Sequence, residues 1–331
     1  MSNFNLGIVT PISGTDCSYL KEMVDSVNRI FMSGITFNWS IIIDGDRRGI
    51  DEYLSKVIDP LLIQNCIITT LDKRYGPSFA RNVGVKSLDC EFVCWLDADD
   101  AIDTENFIVV FNKLRSEGKS FWNKYDLVYT DSYDCDSHLK VISIRKKKFI
   151  HDLHCKHKNT ELDPLLGVDF VYQMQFVRKE TFLSVGGFDE QQILGEDVDL
   201  ILRLSENSRD VNYFYLPVPV YYYRNNPNGR CNIAWGELRN QMERIYLESS
   251  VRQGFSFREY KYIGEFVLSE KHFQYMKGNE SFNIKSLYDI YLPVDENNHA
   301  ITRPYIEAFG PSSFSYGKIN CKNSNRKGAN L

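Results

Sequence analysis

The 331-residue sequence has no apolar run approaching the roughly 20 residues that a membrane-spanning helix needs. Its first residues, Met1-Ser2-Asn3-Phe4-Asn5, do not form a basic and apolar leader. Its eight cysteines stand singly at 17, 66, 90, 94, 135, 155, 231 and 321, with no Cys-x-x-Cys pair. That scatter argues against a disulfide framework and for a reduced, cytoplasmic chain with buried thiols. The sequence also lacks an excess of positive charge. Lys and Arg number 39 against 44 Asp and Glu, a formal net charge of −5. A protein devoted as a whole to nucleic acid or an anionic membrane is thereby disfavoured, although a local basic patch is not. There is no internal repeat and no low-complexity tract. The first apolar strand, Leu6 to Pro11, is not followed by Gly-x-Gly-x-x-Gly, which counts against a dinucleotide-binding domain.

Hydrophobic residues make up 43% and aromatic residues 14%, enough for a sizeable core. Short apolar strands alternate with helical periodicity over the first hundred residues. Leu20, Met23, Val24, Val27, Ile30 and Phe31 recur at helical spacing, and Gly34 marks that helix's end. Strands are expected at Leu6 to Pro11, Trp39 to Ile43, Cys66 to Leu71 and Phe92 to Leu96, with helices between them. This repeat predicts a parallel sheet covered on both faces. Further on, the pattern predicts a helix from Thr104 to Glu117 and a strand from Asp126 to Thr130. A polar turn from Asp131 to His138 and a strand from Leu139 to Ile144 follow. Later strands are expected at Val171 to Phe176 and Val211 to Tyr223, and a helix opens at Gly195-Glu196-Asp197. An amphipathic helix from about Ile233 to Arg252 and a loose tail from Ser312 complete the chain.

The fourth strand, Phe92-Val93-Cys94-Trp95-Leu96, runs straight into Asp97-Ala98-Asp99-Asp100. Carboxylates are costly in a core, so the chain has to emerge at the sheet's edge there. In open α/β sheets that edge is where ligands bind. Asp97 and Asp99 repel each other unless a cation lies between them. A hard divalent ion held by one or two carboxylates and a substrate's phosphates suits such a pair. A solvated acidic turn ending a strand is the bland alternative.

Several further motifs fall in a fixed order around this one. They are Thr10-Pro11, Asp44, Gly76-Pro77-Ser78 with Ala80-Arg81-Asn82, Gly186-Gly187-Phe188-Asp189, Gly195-Glu196-Asp197 and Tyr222-Tyr223-Arg224. Over roughly residues 4 to 230 the sequence resembles the inverting family 2 glycosyltransferases. The resemblance implies an α/β fold of the GT-A type, Rossmann-like, with a mostly parallel central sheet flanked by helices. It divides the chain into a transferase domain, 1–230, and a partly helical C-terminal extension, 231–331. There is one departure. Family members often carry a His two positions after the Tyr-Arg pair, where this chain has Asn226.

The resemblance implies a nucleoside-diphosphate sugar as donor, a UDP-sugar first, and Mn²⁺ or Mg²⁺ as cofactor. Thr10, Pro11, Asp44, Gly76, Arg81, Asn82, Asp97, Ala98 and Asp99 are the implied donor-site residues, with Asp97 and Asp99 at the metal. Asp44 is expected to receive the base's ring N–H, and Arg81, near a helix start, to meet phosphate. Asp197 is the expected general base, since the first turn of a helix favours an ionised carboxylate. Glu196 is its acceptor-binding neighbour. A nucleotidylyltransferase would need a glycine- and lysine-bearing signature after strand one, which Leu6 to Asp16 lacks. A non-catalytic nucleotide-sugar-binding protein is the other competitor.

Arg145-Lys146-Lys147-Lys148, with His151, His154, Lys156, His157 and Lys158, forms a basic stretch on the acceptor side. It suggests an anionic acceptor or surface: a glycan or lipid-linked carrier first, with attachment at the inner membrane face, and nucleic acid bearing a hydroxylated base as runner-up. His151, His154, Cys155 and His157 have loose spacing and no second cluster, so a solvated loop is preferred to a zinc site.

Overall fold

The structure is a computed structural model. It describes residues 5–13, 19–45, 49–118, 120, 123–148, 151, 175–192, 194–207, 211–226 and the single positions 244, 245, 248, 249 and 252. Nine strands form one sheet. In chain order they are β1 (Leu6–Ser13), β2 (Asn38–Asp44), β3 (Cys66–Thr70), β4 (Phe92–Trp95), β5 (Ala101–Ile102), β6 (Leu127–Cys135), β7 (Val141–Arg145), β8 (Gln175–Arg178) and β9 (Tyr213–Arg224). The helices are α1 (Leu20–Met32), α2 (Ile50–Val57), α3 (Pro77–Ser87), α4 (Thr104–Glu117), α5 (Lys179–Ser184) and α6 (Glu196–Asn207).

The spatial order is β3-β2-β1-β4-β8-β6-β9-β5, with β7 paired to β6. The first four strands are parallel, as strand–helix alternation requires. Beyond β4 the sheet is mixed. β8 runs antiparallel to both β4 and β6, while β9 is parallel to β6. After β1 the chain moves outward to β2 and β3, then returns to place β4 on the other side of β1. A crevice opens at such a reversal, at the strands' carboxyl ends.

Each face of the sheet carries its own core. Leu6, Ile8 and Ile12 of β1 pack with α1, α2 and α4 on one face. Val9 and Val93 pack with α3, α5 and α6 on the other. This alternation follows from the two-residue period of a strand. Trp39 is wholly buried and its Nε1 donates to Thr10 Oγ1 at 2.9 Å, so its polar atom is satisfied inside the core. Gly84 lets α3 lie close on β1, because a Cβ there would come within 2.4 Å of Val9 Cγ1.

Three sequence expectations change. β1 passes through Pro11 to Ser13, because β2 pairs with it along that whole length. β6 continues through the residues read as a turn, Asp131 to Cys135, because β9 and β7 pair on its two edges. Pairing on both sides satisfies the backbone despite polar side chains. The short β5, absent from the sequence reading, pairs with the end of β9. The 152–174 segment, most of the expected 233–252 helix and the tail from Ser312 lie outside the described residues. Ile245 is buried in the second core, and Ser249 Oγ donates to Glu206 Oε1 of α6 at 2.5 Å. No described helix is long and apolar enough to cross a membrane.

Candidate active site

The crevice between β1 and β4 is where the acidic turn emerges. β4 pairs with β1 only as far as Val9↔Trp95, and Leu96 N closes the ladder on Val9 O at 3.0 Å. Asp97 to Asp100 then turn tightly, with Asp100 N on Asp97 O at 3.2 Å. The last strand holds this turn. Tyr221 Oη accepts from Asp97 N at 3.2 Å and donates to Asp100 Oδ2 at 2.7 Å. Arg224 N donates to Asp100 Oδ1 at 2.7 Å, and its buried guanidinium donates to Asp99 O, Ser137 O and Glu22 Oε2. That guanidinium lies 4.1 Å from the centre of the Tyr19 ring. Asp100, Tyr221 and Glu22 were not among the sequence candidates.

Within the turn the carboxylates differ. Asp100 is buried among fixed donors, and burial, then Asp99 and Asp97, push its carboxyl well above the usual range. Asp97 Oδ1 receives Arg81 Nη2 at 2.7 Å. Asp99 Oδ2 receives a neutral amide, Asn226 Nδ2, at 3.1 Å. Burial, then the charge of Asp97, raise the Asp99 carboxyl above its ordinary value. Asn226 thus stands against the carboxylate at the position where a His was expected. Among the described residues no group of three or more His, Cys, Asp and Glu is arranged to hold a metal. Two hard oxygen ligands carrying excess negative charge do fit a divalent ion whose remaining positions come from phosphates and water.

Other expected donor residues have different commitments. Asp44 Oδ1 and Oδ2 accept from Tyr75 N at 2.7 Å and Gly76 N at 2.8 Å. The carboxylate therefore shapes the turn into α3, where Gly76 adopts φ +97°. Thr10 is buried with its hydroxyl on Trp39, leaving only its backbone for a ligand. Asn82 does not reach toward the turn. Its side chain donates to Phe188 O and Glu190 Oε1 and accepts from Phe188 N at 2.9 Å. Asn82 thus pins the Gly186–Asp189 loop. Gly187 has φ +73° there, and a Cβ would lie 2.6 Å from Asn82 Oδ1.

Arg81 is likewise committed to protein partners. It is buried, its Nη1 donates to Glu196 Oε1 at 2.8 Å and its Nη2 holds Asp97. Its Nε is buried without a hydrogen-bond partner among the described residues. Burial opposes the charge, yet Asp97 and Glu196 together hold the guanidinium ionised above its ordinary range. Through Arg81 the first turn of α6 is tied to the acidic turn after β4. Next along α6, Asp197 Oδ1 accepts from Val198 N at 2.9 Å. Burial, and then the adjacent Glu196, push its carboxyl up to about 7.

Residues 8–168 match the family model described as Glycosyl transferase family 2. Over that stretch the chain is similar to the family 2 glycosyltransferases. The match spans just under half of the chain and ends before α6. No curated protein matches the sequence. Solved structures share the fold at low identity. S. aureus TarS residues 1–349 in complex with UDP-GlcNAc is 13% identical with a TM-score of 0.57, covering 98% of this chain and 92% of that one. The mannosyltransferase PcManGT from Pyrobaculum calidifontis in complex with GDP-Man and Mn²⁺ is 11% identical with a TM-score of 0.52, covering 98% and 80%. A longer TarS chain gives 0.54 at 14% identity, and there this chain spans 55% of the other's length. The architecture is therefore the GT-A arrangement.

The basic stretch is only partly a solvent-facing strip. Arg145 ion-pairs with Asp134 at 2.5 Å and lies over the Tyr223 ring. Lys147 is buried, its N–H on Asp131 Oδ1 at 2.9 Å. Lys146 and Lys148 are exposed. His151 meets the Tyr129 hydroxyl. His154, Cys155, Lys156, His157 and Lys158 lie outside the described residues.

Proposed function

We propose that the protein is a divalent-metal-dependent inverting glycosyltransferase, moving a sugar from a nucleoside-diphosphate sugar to an acceptor hydroxyl. The observation that carries this reading is the joining of two acidic clusters through one buried arginine. The Asp97–Asp100 turn and the Asp197 end of α6 both meet Arg81.

Asp99, with Asp97, would hold the divalent ion. When bound, that ion offsets the charge that builds on the departing diphosphate. Asp197 takes the acceptor proton. The acceptor oxygen then forms a bond to the anomeric carbon, the bond from that carbon to the diphosphate oxygen breaks, and the diphosphate leaves with the electron pair. A single displacement inverts the centre. A carboxyl poised near neutrality suits a base acting at that pH. Glu196 is the poorer base, because accepting a proton would displace the guanidinium it holds.

The donor is a UDP-sugar in the first instance. The UDP-GlcNAc complex of TarS supports that choice, and the GDP-Man complex of PcManGT keeps GDP-sugars in the test. The acceptor we propose is a glycan or lipid-linked carrier, reached from the cytoplasmic side. Nucleic acid is the weaker reading, since of Arg145 to Lys148 only Lys146 and Lys148 face solvent.

A thermal-shift panel of nucleotide sugars with Mn²⁺, with Mg²⁺ and with EDTA tests the donor site, because a ligand of the folded form raises Tm. Release of nucleoside diphosphate in the same mixtures tests turnover. A metal-dependent shift with slow diphosphate release supports the transferase. A shift with no release under any acceptor would leave a nucleotide-sugar-binding protein.

A further inference from the structure

We infer that Arg81 is a positioning residue which sets both ends of the site at once: it fixes the acidic turn against α6 and sets a positive charge beside the carboxylates that open that helix. The inference rests on the transferase reading and assigns to that site a part no motif names. The guanidinium is buried, and its two terminal nitrogens go to different elements: Nη2 to Asp97 at 2.7 Å after β4, and Nη1 to Glu196 Oε1 at 2.8 Å on α6. The fork is planar and rigid, so the two carboxylates cannot move apart without losing one contact. Its plane is steadied by the Phe188 ring, 5.4 Å from Cζ. Phe188 is itself pinned through Asn82, two hydrogen bonds joining Asn82 to its backbone. Arg81 is thus fixed from behind.

The groups bearing on Asp197 come from two elements. Burial and then Glu196, on its own helix, raise its proton affinity, while the Val198 backbone N–H and Arg81, on α3, lower it. Removing Arg81 leaves burial and Glu196 without that opposing charge. The base would then stay protonated to higher pH. A lysine would keep a charge but cannot bridge both carboxylates.

Three variants separate charge from bridging: Arg81→Lys, Arg81→Gln and Arg81→Gln combined with Glu196→Gln. The measurement is kcat against pH between about 5.5 and 9, with nucleoside-diphosphate release as the readout. Each variant's melting temperature is recorded over the same range to show that it is folded. In Arg81→Gln the acidic limb should move up by about one pH unit, the lower end for loss of a nearby opposite charge. In Arg81→Lys the limb should stay near the wild-type position while kcat falls by about tenfold or more, since a small misplacement of reacting groups is costly. The double variant removes both the lowering and the raising charge, so its limb should return toward wild type. It also lacks an unpaired buried Glu196, which keeps the test open if Arg81→Gln alone does not fold. Equal losses in all folded variants with an unmoved limb would overturn the charge role, and unaltered kinetics would overturn the whole inference. A wild-type protein that releases no diphosphate from any nucleotide sugar would instead overturn the transferase reading.

Discussion

The turn after β4 and the first turn of α6 are built from the same residue types and wired in parallel. Each holds three carboxylates within four residues, and each commits two of them. In the turn, Asp100 is fixed by Tyr221 and the Arg224 backbone, and Asp97 by Arg81. On α6, Glu196 is fixed by Arg81 and Asp199 by Arg203 at 2.6 Å. One carboxylate in each cluster has no ion pair among the described residues: Asp99 and Asp197. Both are raised above their ordinary proton affinity by burial and a neighbouring carboxylate, as is the fixed Asp100. The difference lies in what stands beside them. Asp99 faces a second carboxylate and a neutral amide, an arrangement that a metal ion relieves. Asp197 faces a carboxylate already held by Arg81, an arrangement that a proton relieves. The same acidic chemistry thus yields a cation site at one end and a base at the other.

The strongest test of that contrast is Asp197→Asn, which keeps shape and removes basicity. Its kcat should fall by about two to four orders of magnitude, the range for general-base catalysis, while donor affinity measured by calorimetry stays within a few-fold. Glu196→Gln should lose less. If the order is reversed, the assignment of base and neighbour is reversed with it. Next in size is Asp99→Asn. Donor affinity in Mn²⁺ should fall by at least about tenfold, the low end of what even an outer-shell loss costs a metal site. In EDTA, wild type and variant should then bind donor equally weakly. Equal wild-type affinity in Mn²⁺ and EDTA would reduce Asp97 and Asp99 to turn residues.

A smaller effect concerns stability, and its sign follows from Asp197. Its folded carboxyl is raised to about 7 from the ordinary 3.8, so the folded state holds a proton that the unfolded state has lost. Stability from this group is present below the unfolded value and is lost as pH rises from about 4 to about 7. Asp197→Asn removes that loss. The variant should therefore be more stable than wild type at pH 8 by on the order of 2 kcal/mol, less than the full shift implies because the carboxyl is partly solvated. The two should converge near pH 4. Urea unfolding at both pH values checks it. A variant less stable than wild type at pH 8 would mean that Asp197 is not strained by burial.

Much of this arrangement was legible before the structure. The period of α1, the apolar run into Asp97 and the Glu196-Asp197 helix start are local signals, and α4 runs from Thr104 to Glu117 as the pattern predicts. The partners were not legible, because they are distant in sequence. Tyr221 is 124 residues from Asp97, and Glu196 is 115 from Arg81. A third carboxylate at Asp100 and the Tyr-Arg end of β9 were visible, but nothing in either stretch says that one buries the other. Arg81 and Asn82 were assigned to the donor from a motif. Yet a motif fixes residue type and place, and the side chain's direction is set by which loop packs over it. The later half of β6 was misread because polar residues read as a turn until pairing on both edges is known.

The smallest expected effect separates the buried site from the basic stretch. Arg145 and Lys147 are tied into the fold, so altering them should act on stability. Lys146 and Lys148 are the exposed charges of Arg145 to Lys148. Exposed ionic contacts contribute a few tenths of a kcal/mol each. Lys146→Gln with Lys148→Gln should thus raise the KM of an anionic acceptor by roughly two- to fivefold, leaving donor KM and Tm unchanged. The difference should vanish at high salt, where exposed charges are screened. A flat result at all salt concentrations would place the acceptor away from β7. A loss of a hundredfold or more would mean that both lysines sit in a desolvated contact, and the acceptor site would then extend from Asp197 to this hairpin.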